Sequence, residues 1–317
     1  MTQRDNLTLV QGLEPGDPRL DLRMRIGAVV PYYGGKRNLA FKIIEVMGPH
    51  KVYWEPFCGS MAVLMVKPPC VMETVNDLHG DLINLAKVIQ DKEMGFELYD
   101  KLSRTCYAEQ FFREAKERWM FRPKEAYKMP DPDRAYDYFV VSWMGLNGVS
   151  GTARCNYQFA LRWCRGGGHC ARRWSSVIES MPAWHKRLAQ VVILQRDAFD
   201  IIENIKDDGD TVIYCDPPYF DKSDKYVHDF TPADHAQLSV SLERFTKTKV
   251  IVSYYDDHRL DVLYEGFKKI KLGANYASLR NATRGPKKKP HKKQVEILLV
   301  KNLEEGLFNS AHAPRGL

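Results

Sequence analysis

The stretch "TVIYCDPPYF", residues 211–220, decides how the rest of the chain is read. Val212 to Cys215 are β-branched, aromatic or small and apolar, in a run too short for a helix, so they predict a buried strand. The two prolines that follow cannot continue in a sheet and have no N–H to donate. The expected result is a stiff corner at the carboxyl end of a strand. It presents the carboxylate of Asp216, the carbonyl of Pro217 and the ring of Tyr219. Those are two hydrogen-bond acceptors and one stacking surface.

Working outward, strand and helix patterns alternate. "KVYWEP" predicts a strand, Ser60 to Met65 a helix start, "CVMETVND" a second strand and Asp81 to Gln90 an amphipathic helix. Further on, "VVILQRD" reads as a strand, "AFDIIENI" as a helix, and "KVIVSYYDD" and "VEILLVKN" as the last two strands. "TPADHAQLSVSLERF" reads as a helix with Thr231 as its N-cap and Pro232 in its first turn. This alternation predicts an α/β fold with a mainly parallel, doubly wound sheet. Residues 92–189 interrupt it with a helical, Arg-, Trp- and Tyr-rich block, expected to be an inserted domain. The sheet domain then comprises 28–91 and 190–302, with a leader at 1–27 and a tail at 303–317.

The chemistry is expected at the strand ends. "VYWEPFCGS" closes a strand with an acid, a proline and a glycine turn, where backbone N–H groups can approach a ligand. The next strand ends at Asn76 and Asp77. An acid roughly 20 residues past the glycine turn is where a doubly wound fold holds a ribose diol. Asp216 and Pro217 suit an exocyclic amino group with two N–H donors, and Tyr219 suits a planar base lying face-on. A base reaches such a pocket only outside the duplex stack. An adenosine-type cofactor beside an amino-base pocket predicts methyl transfer from S-adenosylmethionine to a base nitrogen.

The bulk numbers agree with a globular enzyme that meets a polyanion. The chain has 317 residues, 44% of them hydrophobic, and a net charge of +7. No long uncharged apolar run predicts a membrane span, the N-terminus lacks a secretory pattern, and seven irregularly spaced cysteines predict a reducing, cytoplasmic setting. From Arg280 to Lys293 the chain carries Arg280, Arg284, Lys287, Lys288, Lys289, Lys292 and Lys293 with no acid, a composition suited to phosphates.

In order along the chain, these motifs resemble the D12-class, Dam-like DNA adenine-N6 methyltransferases from about 31 to 302. "PYYGGK" resembles the family's cofactor motif, with Tyr32 and Lys36 at its aromatic and lysine positions. "EPFCGS" resembles its glycine loop, which points to Glu55, Phe57 and Gly59, and "NDLHGDLI" its ribose-binding segment, with Asp77. "QRDAFD" is similar to the segment whose acid contacts the cofactor adenine, here Asp197. "DPPY" resembles the catalytic motif, and "YVHDFTPADHAQL", "VSYYDD" and "EILLVKN" the segments after it. The resemblance implies a Rossmann-like methyltransferase sheet with a mainly helical target-recognition domain at 92–189. It implies S-adenosylmethionine as cofactor, double-stranded DNA as partner, and a monomer or weak dimer, as in restriction–modification. "WMGLNG" sits where the family carries a recognition element, so Asn147 and Arg154 join Arg280, Arg284 and Lys287 to Lys289 as expected DNA contacts. The chemistry so implied calls for no metal. Two departures stand out: Met61 replaces a second glycine, which narrows backbone access to the cofactor, and "QRDAFD" lacks a glycine before its acid.

Other readings compete. A cytosine-N4 methyltransferase would use the same acceptors, although that class more often has Ser in place of Asp216. A DNA-binding protein of this fold without catalysis is the rival from another class. Cys215 follows the strand alternation into the core, and Pro69-Cys70 lacks the Pro-Cys-Gln of a C5 enzyme. Cys155, Cys164, His169 and Cys170 lack zinc-ligand spacing. His228 and His235 suit capping or loop contacts. Trp163, Trp174 and Trp184 suit core anchoring better than base stacking.

Overall fold

The structure is a computed structural model that describes residues 27–32, 34–122, 130–146, 158–161, 169–220, 230–275 and 294–303. Seven strands form one sheet. They are β1 (Val52–Glu55), β2 (Met72–Asn76), β3 (Val192–Leu194), β4 (Thr211–Cys215), β5 (Lys249–Tyr255), β6 (Lys268–Asn275) and β7 (Gln294–Lys301), in the order β3-β2-β1-β4-β5-β7-β6.

β4 is central, and all five of its residues are buried. Val212 and Tyr214 enter one apolar cluster, while Ile213 and Cys215 enter another on the opposite face. A strand covered on both sides reads as a continuous apolar run, which is why 212–215 shows no polar alternation. Cys215 is a core residue, as the pattern predicts. β1, β2, β3, β4 and β5 pair in parallel, and β7 runs antiparallel between β5 and β6. The strand order reverses between β1 and β4. In such a sheet, ligands bind outside the carboxyl ends of the strands at that reversal.

The expected mainly parallel, doubly wound sheet is therefore present, with β6 as an addition. The sequence reading has no strand between "KVIVSYYDD" and "VEILLVKN". In β6, Lys269 and Lys271 alternate with Ile270 and Leu272, and only one face is covered. Charged side chains on an edge strand oppose pairing with other chains, and here they also hide the strand's apolar pattern. The helix expected from Ser60 begins later, at Ala62, because Met61 takes a left-handed conformation (φ 58°). Thr231 and Asp234 form a reciprocal capping box with Pro232 in the first turn, as the pattern predicts.

Helices Lys92–Ser103, Glu109–Phe121, Pro132–Met144, Cys170–Glu179 and Met181–Leu188 lie between β2 and β3. Leu98, Phe139, Trp174 and Trp184 belong to the same apolar cluster as Val75 and Ile193 of the sheet. Trp174 and Trp184 are core anchors around Phe139, with ring centroids 5.7 and 6.4 Å from it. Trp174 also donates to the Thr105 carbonyl at 2.7 Å. Trp163 lies outside the described residues.

At the amino end of β2, Glu73 joins the sheet to this helical layer. It accepts from Lys67 Nζ at 2.5 Å and from both terminal nitrogens of Arg187 at 2.5 and 2.7 Å. All three residues are buried. Removing one member of a buried ion group leaves charge without compensation. Glu73→Ala should therefore destabilise the protein by about 3–5 kcal/mol, read from the urea midpoint of unfolding.

Candidate active site

One pocket lies at the carboxyl ends of β1, β2 and β4. It is lined by Tyr32, Lys36, Glu55, Phe57, Gly59, Asp77, Asp197 and Asp216, all eight residues that the motifs single out for the cofactor. Asn76 fixes three of the segments that carry them. Its amide nitrogen donates to the carbonyls of Pro56 and Arg196, each at 3.0 Å, and its amide oxygen accepts from Arg196 N–H at 2.8 Å. Its own carbonyl accepts from Cys58 N–H at 2.9 Å.

The glycine turn is built for close approach. Gly59 sits at φ +44°, and a Cβ there would meet the Tyr32 ring at 3.3 Å. Asp77 organises the turn, since its two oxygens accept from Gly59 N–H at 2.8 Å and His79 N–H at 2.9 Å. A carboxylate has about four acceptor sites, so about two remain at the pocket. Asp197 caps helix Ala198–Asn204 by accepting from Phe199 N–H at 2.8 Å. Beside it, Phe57 meets Phe230 edge-on at 5.8 Å, and Phe199 stacks on Phe230 at 6.2 Å. These rings form an apolar wall of the pocket.

The corner after β4 borders the same pocket through Asp216 and Pro218. Lys36 is only 5% exposed, yet its ammonium has three oxygens in reach: Gly34 O at 2.9 Å, Asp216 Oδ1 at 2.8 Å and Glu296 Oε1 at 3.3 Å. The Tyr219 hydroxyl lies 3.1 Å from Asp216 Oδ1 and donates to Glu296. Both contacts on Asp216 thus fall on Oδ1. Among the described residues Oδ2 has no protein partner, and the side chain is 20% exposed toward the pocket it lines.

Burial pushes the Asp216 carboxyl up to about 6 against the opposing pull of Lys36, and Glu296 adds to the rise. Burial works against the Lys36 charge, but Asp216 and Glu296 outweigh it and hold the ammonium above its ordinary range. Glu55, at the end of β1, is pushed up to about 8, chiefly by burial. It accepts from the Tyr53 hydroxyl at 3.0 Å. Burial thus favours the neutral form of Glu55 more strongly than that of Asp216, which Lys36 draws toward the ionised form.

Tyr219 is buried rather than on the pocket wall. Its ring meets Tyr255 edge-on at 4.7 Å, and Lys36 Nζ lies 4.8 Å from its centre. Pro217 is buried behind the corner, and Pro218 lines the pocket instead. His235 neither caps nor faces the site. It is buried, bonds to the Tyr254 hydroxyl at 2.8 Å and stacks on Phe220 at 3.8 Å. His169 caps helix Cys170–Glu179. Asn147, Arg154, Arg280, Arg284, Lys287, Lys288 and Lys289 lie outside the described residues, as do His228, Cys155 and Cys164.

Residues 32–278 match the family described as D12 class N6 adenine-specific DNA methyltransferase. The chain belongs to this family. No curated protein matches it. Among solved structures, the rRNA methyltransferase aviRa from Streptomyces viridochromogenes is similar at 15% identity, over 95% of this chain and 93% of that one, with a TM-score of 0.32.

Two features of this D12-class methyltransferase have placements that the motif reading does not give. The first is Glu296, an acid inside an apolar strand. Its signal is the alternation Val295-Glu296-Ile297, but its partners depend on the β5–β7 register, where it faces Tyr255. The second is Met61. Its side chain is 0% exposed in the apolar core and does not line the pocket. The expected narrowing of access is thus absent at the side chain. What a glycine would supply here is conformational ease, because a left-handed residue with a Cβ costs about 1–2 kcal/mol. Loss of a large buried side chain costs about 2–5 kcal/mol. Met61→Gly should therefore lower stability by up to ~4 kcal/mol net, measured by chemical denaturation.

Proposed function

We propose that this protein transfers a methyl group from S-adenosylmethionine to N6 of an adenine drawn out of double-stranded DNA. The observation that carries the reading is Asp216 Oδ2, which has no protein partner among the described residues, at the pocket that also gathers the cofactor-motif residues. The pocket fits the cofactor's chemistry. Gly59 leaves room that a Cβ would fill, the Phe57–Phe199–Phe230 wall suits an adenine face, and Asp77 retains acceptor capacity for a ribose diol. Asp197 is assigned to the adenine edge. Tyr32, Lys36 and Glu55 are assigned to the methionine end.

When bound, S-adenosylmethionine supplies an electrophilic methyl group. The amino nitrogen of adenine is a poor nucleophile because its lone pair is delocalised into the ring. Asp216 Oδ2 and the Pro217 carbonyl would accept its two N–H bonds and localise that pair; as the N–CH3 bond forms the S–CH3 bond breaks, S-adenosylhomocysteine leaves, and one amino proton is lost to solvent after transfer. Orientation of the two reactants supplies much of the remaining rate. Lys36 keeps Asp216 ionised despite burial. Tyr219 is assigned to the face of the base, which calls for the corner to rearrange when DNA binds.

Residues 92–189 are assigned to target recognition, with Asn147 and Arg154 as DNA contacts. The basic segment is assigned to the phosphates. It leaves the sheet at Asn275 and returns at Gln294, a register pair at the same end of the sheet as the pocket. Its lysines act as point charges suited to phosphate and carry no base-reading geometry.

Asp216→Ala should slow single-turnover methylation by about 10²–10³ or more, with S-adenosylhomocysteine affinity, measured by calorimetry, largely retained. The parent rate should fall as pH drops through about 6, because protonation of Asp216 removes its acceptor. Nucleoside analysis of the product identifies the base, and N4-methylcytosine would replace adenine in this reading. A parent-like rate in the variant would remove Asp216 from catalysis.

Replacing Lys287, Lys288 and Lys289 with Ala should weaken binding to cognate and random duplexes by similar factors. Each lost phosphate contact should reduce the salt slope of log K by about 0.9. An unchanged slope would mean that these lysines do not touch DNA, and a shifted target preference would mean that they read bases.

A further inference from the structure

Glu296 lies outside the motif residues assigned to this site, yet it touches two of them. It is a buried carboxylate on β7, opposite Tyr255 of β5. Its Oε1 accepts from the Tyr219 hydroxyl and lies 3.3 Å from Lys36 Nζ. Those same two groups are the ones that hold Asp216 Oδ1, at 2.8 Å from Lys36 and 3.1 Å from Tyr219. The four side chains form a closed figure, with the cation also 4.8 Å from the centre of the Tyr219 ring.

We infer that Glu296 is a positioning residue for methyl transfer: it fixes the Lys36 ammonium and the Tyr219 hydroxyl, and through them holds Asp216 with Oδ1 occupied and Oδ2 left for the amino group. The inference rests on the proposed function. Glu296 acts only through its neighbours and does not touch the pocket.

The physical case is one of competition. Lys36 divides its donors between Asp216 and Glu296, and the single Tyr219 proton goes to Glu296 with Asp216 Oδ1 also in reach. Without Glu296, the ammonium faces Asp216 as its one nearby anion and the hydroxyl has one acceptor left. Both then draw on Asp216, whose second oxygen no longer has reason to stay free. A displacement of about 1 Å at a reacting group can cost about a hundredfold in rate. The charge balance shifts as well. Among the described residues, the groups facing Asp216 are Lys36 before helix Ala40–Met47, Glu55 on β1, Tyr214 and Cys215 on β4, Tyr219 on the corner, Tyr254 on β5 and Glu296 on β7. Glu296 is one of the causes that raise the Asp216 carboxyl, and Lys36 is the main one that lowers it. Neutralising Glu296 therefore moves Asp216 back toward the ordinary carboxylate range.

Glu296→Gln in the full chain keeps the volume and leaves an oxygen for Tyr219 while removing the charge. Three readouts are compared with the parent: single-turnover methylation of duplex DNA, S-adenosylhomocysteine affinity by calorimetry, and the titration of the Asp216 carboxyl followed by carbon-13 NMR in the free protein. The expected result is a loss of at least tenfold in transfer, cofactor affinity within about threefold, and a lower Asp216 midpoint. Combining Glu296→Gln with Tyr219→Phe should cost much less than the sum of the two single effects, as coupled neighbours do. Tyr219→Phe removes only a hydroxyl and carries the test if Glu296→Gln fails to fold; its transfer should also slow at least tenfold. A parent-like rate in the variant that folds, an unmoved Asp216 midpoint in folded Glu296→Gln, or additive effects would overturn the inference. A parent protein that methylates no DNA would instead overturn the proposed function, and the NMR titration would then decide the Glu296–Asp216 coupling alone.

Discussion

One side-chain amide, that of Asn76, ties together the carboxyl ends of three parallel strands. Parallel strands end in loops with no ladder to hold them, so their carboxyl ends diverge unless something crosses between them. Asn76 crosses in both directions. It reaches Pro56 after β1 and Arg196 after β3, while its own backbone accepts from the glycine turn. Glu55, Asp77 and Asp197 stand immediately beside those anchor points. The pocket is therefore fixed by the sheet rather than by the mobility of individual loops, a condition for precise placement of reacting groups.

Two compact groups of buried charge among the described residues differ in an instructive way. At the amino end of β2, both oxygens of Glu73 are taken by Lys67 and Arg187. Glu73 is thus fully engaged within the fold, although the buried Nε of Arg187 has no partner among the described residues. At the carboxyl end of β4, Lys36 has oxygens for its three hydrogens, but Asp216 has one oxygen engaged and one free. Desolvation is a burden on both groups. In the first it is balanced within the fold. In the second the balance is left open on the side that faces the pocket.

The legible parts of this site are those whose chemistry is local. The D-P-P-Y corner can be read from "TVIYCDPPYF" because a strand and two prolines fix the backbone within ten residues. Gly59 and Asp77 can be read because a turn and a strand end have short-range signatures. Glu296 could not, because its role depends on β7 lying antiparallel to β5, a register that no local pattern specifies. β6 was hidden for a related reason: an edge strand with lysines on its open face looks like a solvated segment. Met61 shows the opposite failure. Its position in a glycine-type turn is visible, but whether its side chain would enter the pocket or the core depends on the neighbouring helix Ala62–Val66, which carries it inward. Tyr219 could be identified but not oriented, since Lys36 and Tyr255, both distant in sequence, cover its ring.

The antiparallel pairing of β6 with β7 has a geometric consequence. Asn275 and Gln294 face each other in register, so the 18 residues 276–293 begin and end at nearly the same point. A tether closed in this way reaches outward by at most half its contour. Nine residues at ~3.3–3.6 Å each give a radius of roughly 30 Å. That is about one helical turn of duplex, ~34 Å. Any phosphate these lysines hold must therefore lie within about a turn of the β6–β7 strand ends. An open arm of the same composition could explore a long stretch of DNA. On the proposed function, a closed one would confine its grip to the neighbourhood of the nucleotide being modified, and so couple a sequence-blind attraction to a local event.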